Sequence, residues 1–293
     1  MVNTKILTSD FNYHKPNNLT EVFKLITEYG TGARLIAGGT DVIPGLKYER
    51  ISTKHLINIA DVQELRYIKE DQGFRIGATT KLIDIKKFFA DKKEYSGFYE
   101  AISSIAKIQI LNMGTLGGNL CTASPAADSA PALLTFEAKV VLSNGKNQRE
   151  VAINNFFTGV QQTVKKDDEI MTEIIIPPVA DQVGSSFRRM VRVAADISKI
   201  SCAILVNRSK NICHSAKVAM GAVATTPIRL YQVEEMLINQ SIDEKILTNI
   251  GKVVSEVIQP ITDIRSTENY RKQVAAVLFK DVFQIAWQKA GVQ

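Results

Sequence analysis

With 293 residues, 45% of them hydrophobic and 23% charged, the chain is long enough for two domains with their own cores. Its net charge of +6 comes from Lys and Arg interleaved with Asp and Glu, and no basic cluster carries aromatics between its charges, which argues against a nucleic-acid partner. No stretch approaches the roughly 20 apolar residues of a membrane span, and Met1-Val2-Asn3-Thr4-Lys5-Ile6 has no apolar signal core, so a cytoplasmic location is expected.

Val22, Leu25, Ile26 and Tyr29 recur at helical spacing and predict a helix over 20–29, closed by Gly30. A short apolar strand over 33–37 runs straight into Gly38-Gly39-Thr40-Asp41. Residues 56–59 read as another strand. Asp71-Gln72-Gly73 marks a hairpin between 67–69 and 74–77. Helices are predicted over 82–90 and 98–108. The next stretch, Gly114 to Pro131, has three glycines, two prolines and almost no charge, and is expected to form neither an amphipathic helix nor an alternating strand. It reads either as a connection between domains or as a loop whose backbone lies against a ligand.

Beyond it, strands are predicted over 139–143 and 169–176, with Asn144-Gly145 as a turn. Pro177-Pro178 and the following residues to Ser186 are the candidate linker. Strands near 187–193, 199–206 and 213–223 precede helices near 229–238, 243–257 and 267–289. Strands followed by helices predict a separate α+β domain, giving a division into 1–178 and 179–293.

Cys121, Cys202 and Cys213 are far apart and form no C-x-x-C pair, and His14, His55 and His214 are equally dispersed. No metal site is predicted, and the odd cysteine count fits a reducing compartment. Leu35 to Asp41 is a strand followed by a Gly-Gly turn. Its N–H groups suit a pyrophosphate, although Gly and Asp are also common in ordinary turns. Gly30-x-Gly32 follows a helix and precedes a strand, the wrong context for a dinucleotide fingerprint. Asp128 has two readings: an acceptor for a ligand hydroxyl, or a cap for a helix starting at Ser129-Ala130-Pro131. Cys121 has no cationic neighbour in sequence and reads as a small, partly buried packing residue. Arg188, Arg189 and Arg192 have two readings, a site for phosphate or an acidic partner and, preferred, alternating exposed charge on a strand; Trp287 reads as packing. There is no Ser-His-Asp set, no close carboxylate pair and no H-E-x-x-H, so a bound cofactor is expected to carry any chemistry.

Arg34 to Asp41 (R-L-I-A-G-G-T-D) and Thr115 to Asn119 (T-L-G-G-N) resemble the two FAD-binding motifs of the flavoprotein subunits of molybdenum hydroxylases, the family of xanthine dehydrogenase FAD subunits and carbon monoxide dehydrogenase medium subunits. Ala123 to Asp128, Phe156 to Gly159, Asp168 to Ile170, Ala195 to Ser198 and Thr226 to Arg229 match in the same order, so the resemblance spans the chain. It implies a vanillyl-alcohol-oxidase-type FAD-binding domain of two α+β subdomains, followed by a C-terminal α+β domain of antiparallel sheet plus helices. It implies that Arg34, Leu35, Ile36, Ala37, Gly38, Gly39, Thr40 and Asp41 wrap the FAD pyrophosphate, mainly through backbone N–H groups. Thr115, Leu116, Gly117, Gly118 and Asn119 would complete the cradle, with Cys121 and Thr122 beside the cofactor. Ser124 and Asp128 match positions near the ribityl and pyrophosphate portion, Ile170 an apolar position beside the cofactor, and Arg188 a position near the flavin.

Three departures stand out. Arg188 replaces the family's usual Lys, keeping charge but changing geometry. Leu111 stands where many relatives have Arg. Ile105 falls where the vertebrate xanthine enzyme places an aromatic ring against the flavin, so the resemblance implies no such stacking here. The resemblance implies an electron-transfer subunit of a heterotrimer, with two [2Fe–2S] clusters on a small subunit, molybdopterin on a large subunit, and NAD as acceptor in a xanthine-dehydrogenase-like complex. The alternatives are a carbon monoxide or nicotinate-type dehydrogenase subunit with another acceptor, or an assembly module that has lost FAD.

Overall fold

In the computed structural model, which describes residue 7 and residues 10–291, three larger sheets, a two-stranded hairpin and ten α-helices position the two glycine-rich stretches. The predicted non-signal stretch, Met1 to Ile6, lies outside the described residues. The first sheet is parallel, β1 (Asn12–His14), β2 (Ala33–Ile36) and β3 (His55–Asn58) in the order β1-β3-β2. Helix α1 (Leu19–Tyr29) starts where the Asn18 side chain accepts from the Glu21 N–H, 2.9 Å away. It buries Val22 and Ile26 against Ile57, Ile59 and Val62. Strand β2 ends in the Gly38–Asp41 turn, which leads into α2 (Val42–Lys47). His14 and His55, distant in sequence, meet across β1 and β3 with Nε2 and Nδ1 3.1 Å apart, and Tyr29 stacks on His55.

The second sheet is built from β4 (Ile68–Glu70), β5 (Phe74–Gly77), β6 (Lys139–Ser143), β7 (Gln148–Ala152) and, after a small hairpin of β8 (Phe157–Gly159) and β9 (Gln162–Thr163), β10 (Ile170–Ile176). It is antiparallel in the order β4-β5-β10-β6-β7. Helices α3 (Leu82–Phe88), α4 (Ser96–Ser104), α5 (Ile108–Met113), α6 (Leu116–Thr122) and α7 (Ser129–Thr135) share its core.

The third sheet is the antiparallel run β11 (Val183–Met190), β12 (Ile200–Ser209), β13 (Ile212–Gly221) and β14 (Ile228–Arg229), followed by α8 (Tyr231–Leu237), α9 (Glu244–Val257) and α10 (Glu268–Lys289). Side chains alternate along a strand. In β12, Cys202, Ile204 and Val206 join the core of α8–α10, while Ala203 and Leu205 join the core of α4 and α7. One strand therefore serves both cores. Near the end of α10, Lys289 Nζ donates to Glu100 Oε1 at 2.8 Å and to the Ser185 carbonyl at 2.9 Å. Trp287 stacks on Phe283 in the packing role expected of it.

Several expectations are corrected. The stretch 114–131 is helical in part: α6 and the start of α7 lie in it. Burial of Leu116 and Leu120, one helical turn apart, and the Thr115 side-chain cap outweigh the low propensity of its glycines. The helix expected over 98–108 ends at Ser104, because Ala106 adopts φ 47°, and a new helix starts at Ile108. The proposed linker is already strand from Val183. There Gly184 packs against the Ala286 carbonyl, and the Ser185 hydroxyl accepts from the Gly97 N–H at 2.9 Å and donates to the Glu94 carbonyl at 2.7 Å. Arg189 is not exposed charge; its side chain is 9% accessible.

Arg149 binds Glu169 bidentately, at 2.7 and 2.8 Å, and the Lys166 N–H adds a third bond. The Arg149 hydrogen bonds, against a desolvation cost, hold the Glu169 carboxyl down at about 2, from 4.5. A depressed folded-state pKa contributes stability above pH 4.5 that is lost as pH falls toward 2. Glu169→Gln is therefore expected to lower unfolding free energy at neutral pH, with the gap to wild type closing as pH falls through that window in urea titrations.

Candidate functional site

The two glycine-rich stretches, about 80 residues apart in sequence, meet in space. Gly38 lies so close to the Met113 carbonyl and Gly114 Cα that a Cβ built on it would overlap both. Gly117 is held equally tightly against Ala78, whose carbonyl accepts the Gly117 N–H at 2.9 Å. The Thr122 hydroxyl donates to Asp41 Oδ2 at 3.2 Å, tying the end of α6 to the start of α2. Glycine is required at these contacts because any side chain would separate the loops.

The two stretches offer different groups to a ligand. Among the described residues, the N–H groups of Gly38, Gly39 and Thr40 have no acceptor, and Gly39 sits at φ 71°. In the second stretch, Leu116 N–H donates to Thr80, Gly117 to Ala78, Gly118 to the Thr115 hydroxyl and Asn119 to Thr115. The free donors therefore belong to the first loop. The second supplies an open helix face: Gly118 and Cys121 are exposed and Thr122 half-buried, at i, i+3 and i+4. Asn119 Oδ1 accepts from the Ser129 hydroxyl at 2.5 Å, and Ser124 Oγ from the Ala126 N–H at 3.3 Å. A row of free N–H groups beside a helix face of small residues suits an extended anion such as a pyrophosphate.

Cys121 was expected to be partly buried; in the chain it is exposed, on the face left bare by Gly118. Surrounding protein nevertheless desolvates the thiol and pushes it up to about 11. Alkylation of Cys121 is expected to be slow at pH 7.5 and to accelerate steeply toward pH 11, while buried Cys202 and Cys213 react only in denaturant; mass spectrometry of the labelled chain checks this.

The remaining predicted residues spread out. Arg34 is exposed on β2. Leu35 and Ala37 pack on the core under α1, and Ile36 packs with Leu46 and Leu56. Ile170 is wholly buried in the core with Val22 and Ile57. Arg188 donates to the Phe187 carbonyl and lies 3.5 Å from Glu100. Asp128 makes no helix cap. Its Oδ1 accepts from the Ser198 hydroxyl at 2.6 Å and its Oδ2 from Arg189 Nη1 at 3.0 Å. Burial pushes this carboxyl up to about 6, against the pull of Ser198 and Arg189. Ile105 and Leu111 are buried. Sequence reasoning gave Arg189 and Ser198 no role at the site, because they lie 61 and 70 residues from Asp128 and nothing in local spacing links them. Among the described residues, no three His, Cys, Asp or Glu side chains gather as a metal site, and no helix is long and apolar enough to cross a membrane.

An α+β fold in which two glycine-rich stretches meet fits a protein that holds an extended anionic cofactor. Residues 9–179 match the FAD binding domain in molybdopterin dehydrogenase, and residues 185–286 match the CO dehydrogenase flavoprotein C-terminal domain. The chain belongs to this family, as an FAD-binding medium subunit of the molybdenum hydroxylases. It is similar to the glyceraldehyde dehydrogenase medium chain of Sulfolobus acidocaldarius, at 31% identity over 94% of this chain and 98% of that one. It is similar also to the xanthine dehydrogenase FAD-binding subunit of Escherichia coli O157:H7, at 31% identity over 96% and 97%. The solved carbon monoxide dehydrogenase from Hydrogenophaga pseudoflava superposes with a TM-score of 0.93 at 27% identity, over 97% of this chain and 99% of that one.

Proposed function

We propose that this chain is the electron-transfer subunit of a heterotrimeric, xanthine-dehydrogenase-like molybdenum hydroxylase, dividing into 1–178 and 179–293. FAD lies between the Gly38–Asp41 turn and the open face of α6. The observation that carries the reading is the row of N–H groups without acceptors at Gly38, Gly39 and Thr40, on a loop packed against the end of α5 and tied to α6 through Asp41 and Thr122. Those donors hold the pyrophosphate, and Asp41 and Thr122 keep the two walls in register. Bound FAD supplies the redox chemistry; this chain's residues bind and orient it. Electrons arrive from [2Fe–2S] clusters on a small subunit and originate at molybdopterin on a large subunit. The wide spacing of Cys121, Cys202 and Cys213 agrees with cluster ligands lying on a partner. NAD is the acceptor, as the likeness to the xanthine dehydrogenase FAD-binding subunit suggests, and the assembly is cytoplasmic.

Two measurements test this. FAD is expected to protect Cys121 from alkylation at high pH; equal labelling with and without FAD would remove the cofactor from this face. Reoxidation of the reduced holoprotein, followed by stopped flow, should be fast with NAD and slow with quinone, ferredoxin or oxygen. The reverse order would reject the proposed acceptor but leave the FAD site standing.

A further inference from the structure

We propose that Arg189 is a positioning residue for the flavin cradle: it locks the 123–128 loop beneath α6 onto the 194–198 segment of the C-terminal domain. The inference rests on the reading of α6 and the Gly38 turn as the FAD site.

One guanidinium gathers four acceptors. Arg189 Nη1 donates to Asp128 Oδ2 at 3.0 Å, to the Asp196 carbonyl at 2.9 Å and to the Ser198 hydroxyl at 3.4 Å, and Nη2 donates to the Ala194 carbonyl at 2.6 Å. Ser198 closes the ring by donating to Asp128 Oδ1 at 2.6 Å. The segment 194–198 is thus wrapped around the Arg189 head, a task for a planar fork with several donors that a lysine ammonium cannot reproduce. Both Asp128 oxygens are engaged within the chain, and its side chain is 6% accessible. Asp128 thereby ties the loop that follows α6 to the 194–198 segment.

The loop that Asp128 ends is gripped at two further points. The Ala123 carbonyl accepts from Gln161 N–H at 2.9 Å, and the Pro125 carbonyl accepts from Ala222 N–H at 2.7 Å. Ala123 is also the left-handed residue that terminates α6, at φ 47°. Its position sets where the last turn of α6, with Cys121 and Thr122, lies relative to Asp41. Loosening Asp128 therefore shifts the wall of the cradle, although Arg189 touches none of it.

The test uses the full chain and four variants: Arg189→Lys, Ser198→Ala, Asp128→Asn and the Asp128→Asn/Arg189→Lys double. FAD affinity is read by quenching of flavin fluorescence, and loop mobility by hydrogen exchange over 122–130 and 191–199. Arg189→Lys and Ser198→Ala are expected to keep the wild-type circular dichroism spectrum, to raise exchange in both segments together, and to weaken FAD binding about tenfold. The double variant should bind no more weakly than the worse of its two single changes, since both cut one tie. Raised exchange with wild-type FAD affinity in both mild variants would make the cluster purely structural and overturn the inference. Unchanged exchange in both would deny the lock itself. A wild-type chain that fails to bind FAD would instead overturn the site reading, and the inference with it.

Discussion

Gly118→Asp is expected to abolish FAD binding and leave the chain folded. Gly118 lies on the exposed face of α6, and among the described residues beyond the backbone of its own helix an added Cβ would meet the Thr115 hydroxyl, at 2.8 Å. That hydroxyl accepts the Gly118 N–H at 3.1 Å to cap the helix, so displacing it costs about 1 kcal/mol, a loss the fold can absorb. The carboxylate, however, stands on the exposed face of α6 that the proposed site assigns to the pyrophosphate, and would add both bulk and repulsion there. Gel filtration with excess FAD should give a colourless protein whose melting curve stays close to that of the parent. A yellow, stoichiometric variant would refute the site. Gly38→Ala is the less informative change, because its methyl overlaps the Met113 carbonyl and damages the fold as well as the site.

Glu234→Ala is expected to be the most destabilising single change away from the cofactor. Arg229 Nε and Nη2 each donate to the Glu234 carboxylate at 2.6 Å, and the Val218 N–H adds a bond at 2.8 Å. Both side chains are almost wholly buried, at 6% and 8% accessible. Removing the carboxylate leaves a guanidinium in the interior with the Leu134 carbonyl, half-exposed Glu137 and the face of the Tyr231 ring among its partners. Breaking such a pair typically costs about 3–5 kcal/mol, which for a domain of this size lowers the melting temperature by roughly 10 °C. Replacing both partners together, by Arg229→Met and Glu234→Leu, should be far milder in denaturant titrations, because no charge is then stranded. A Glu234→Ala protein as stable as wild type would show that water reaches this pair.

The elements whose periodicity is plain were legible in the sequence. Helices α1, α9 and α10 lie within a residue of their expected spans, and β2, β3 and β5 follow their apolar runs. What was misread depends on distant partners. The glycines of α6 signal loop by propensity, but Ala78 and Thr80 accept from its first turn and bury Leu116. Ser185 and Ser186 looked like linker, yet their hydroxyls bond into α4. The motif Thr226 to Arg229 marked the family, while the reason for Arg229 is structural: it joins the C-terminal sheet to the end of α7. The two loops of the site were found because glycine next to a strand or a small-residue run is a local signal. The Arg189–Asp128–Ser198 cluster was not, because burial of a charged residue is decided by tertiary structure.

The sharing of β12 between two cores bears on how the chain is made. Domains fold in order as a polypeptide leaves the ribosome, and here residues 1–180 emerge before any of the third sheet exists. The faces of α4 and α7 that Phe187, Ala203, Leu205 and Ala219 will cover are then bare. They remain so until Ala219, the last of these, has arrived, and the seal closes later still, when Lys289 reaches Glu100 and Ser185. The nascent first half is therefore a sticky intermediate. Slowed translation or truncation within α10 should send it into aggregates or onto chaperones, rather than yield a soluble half-protein.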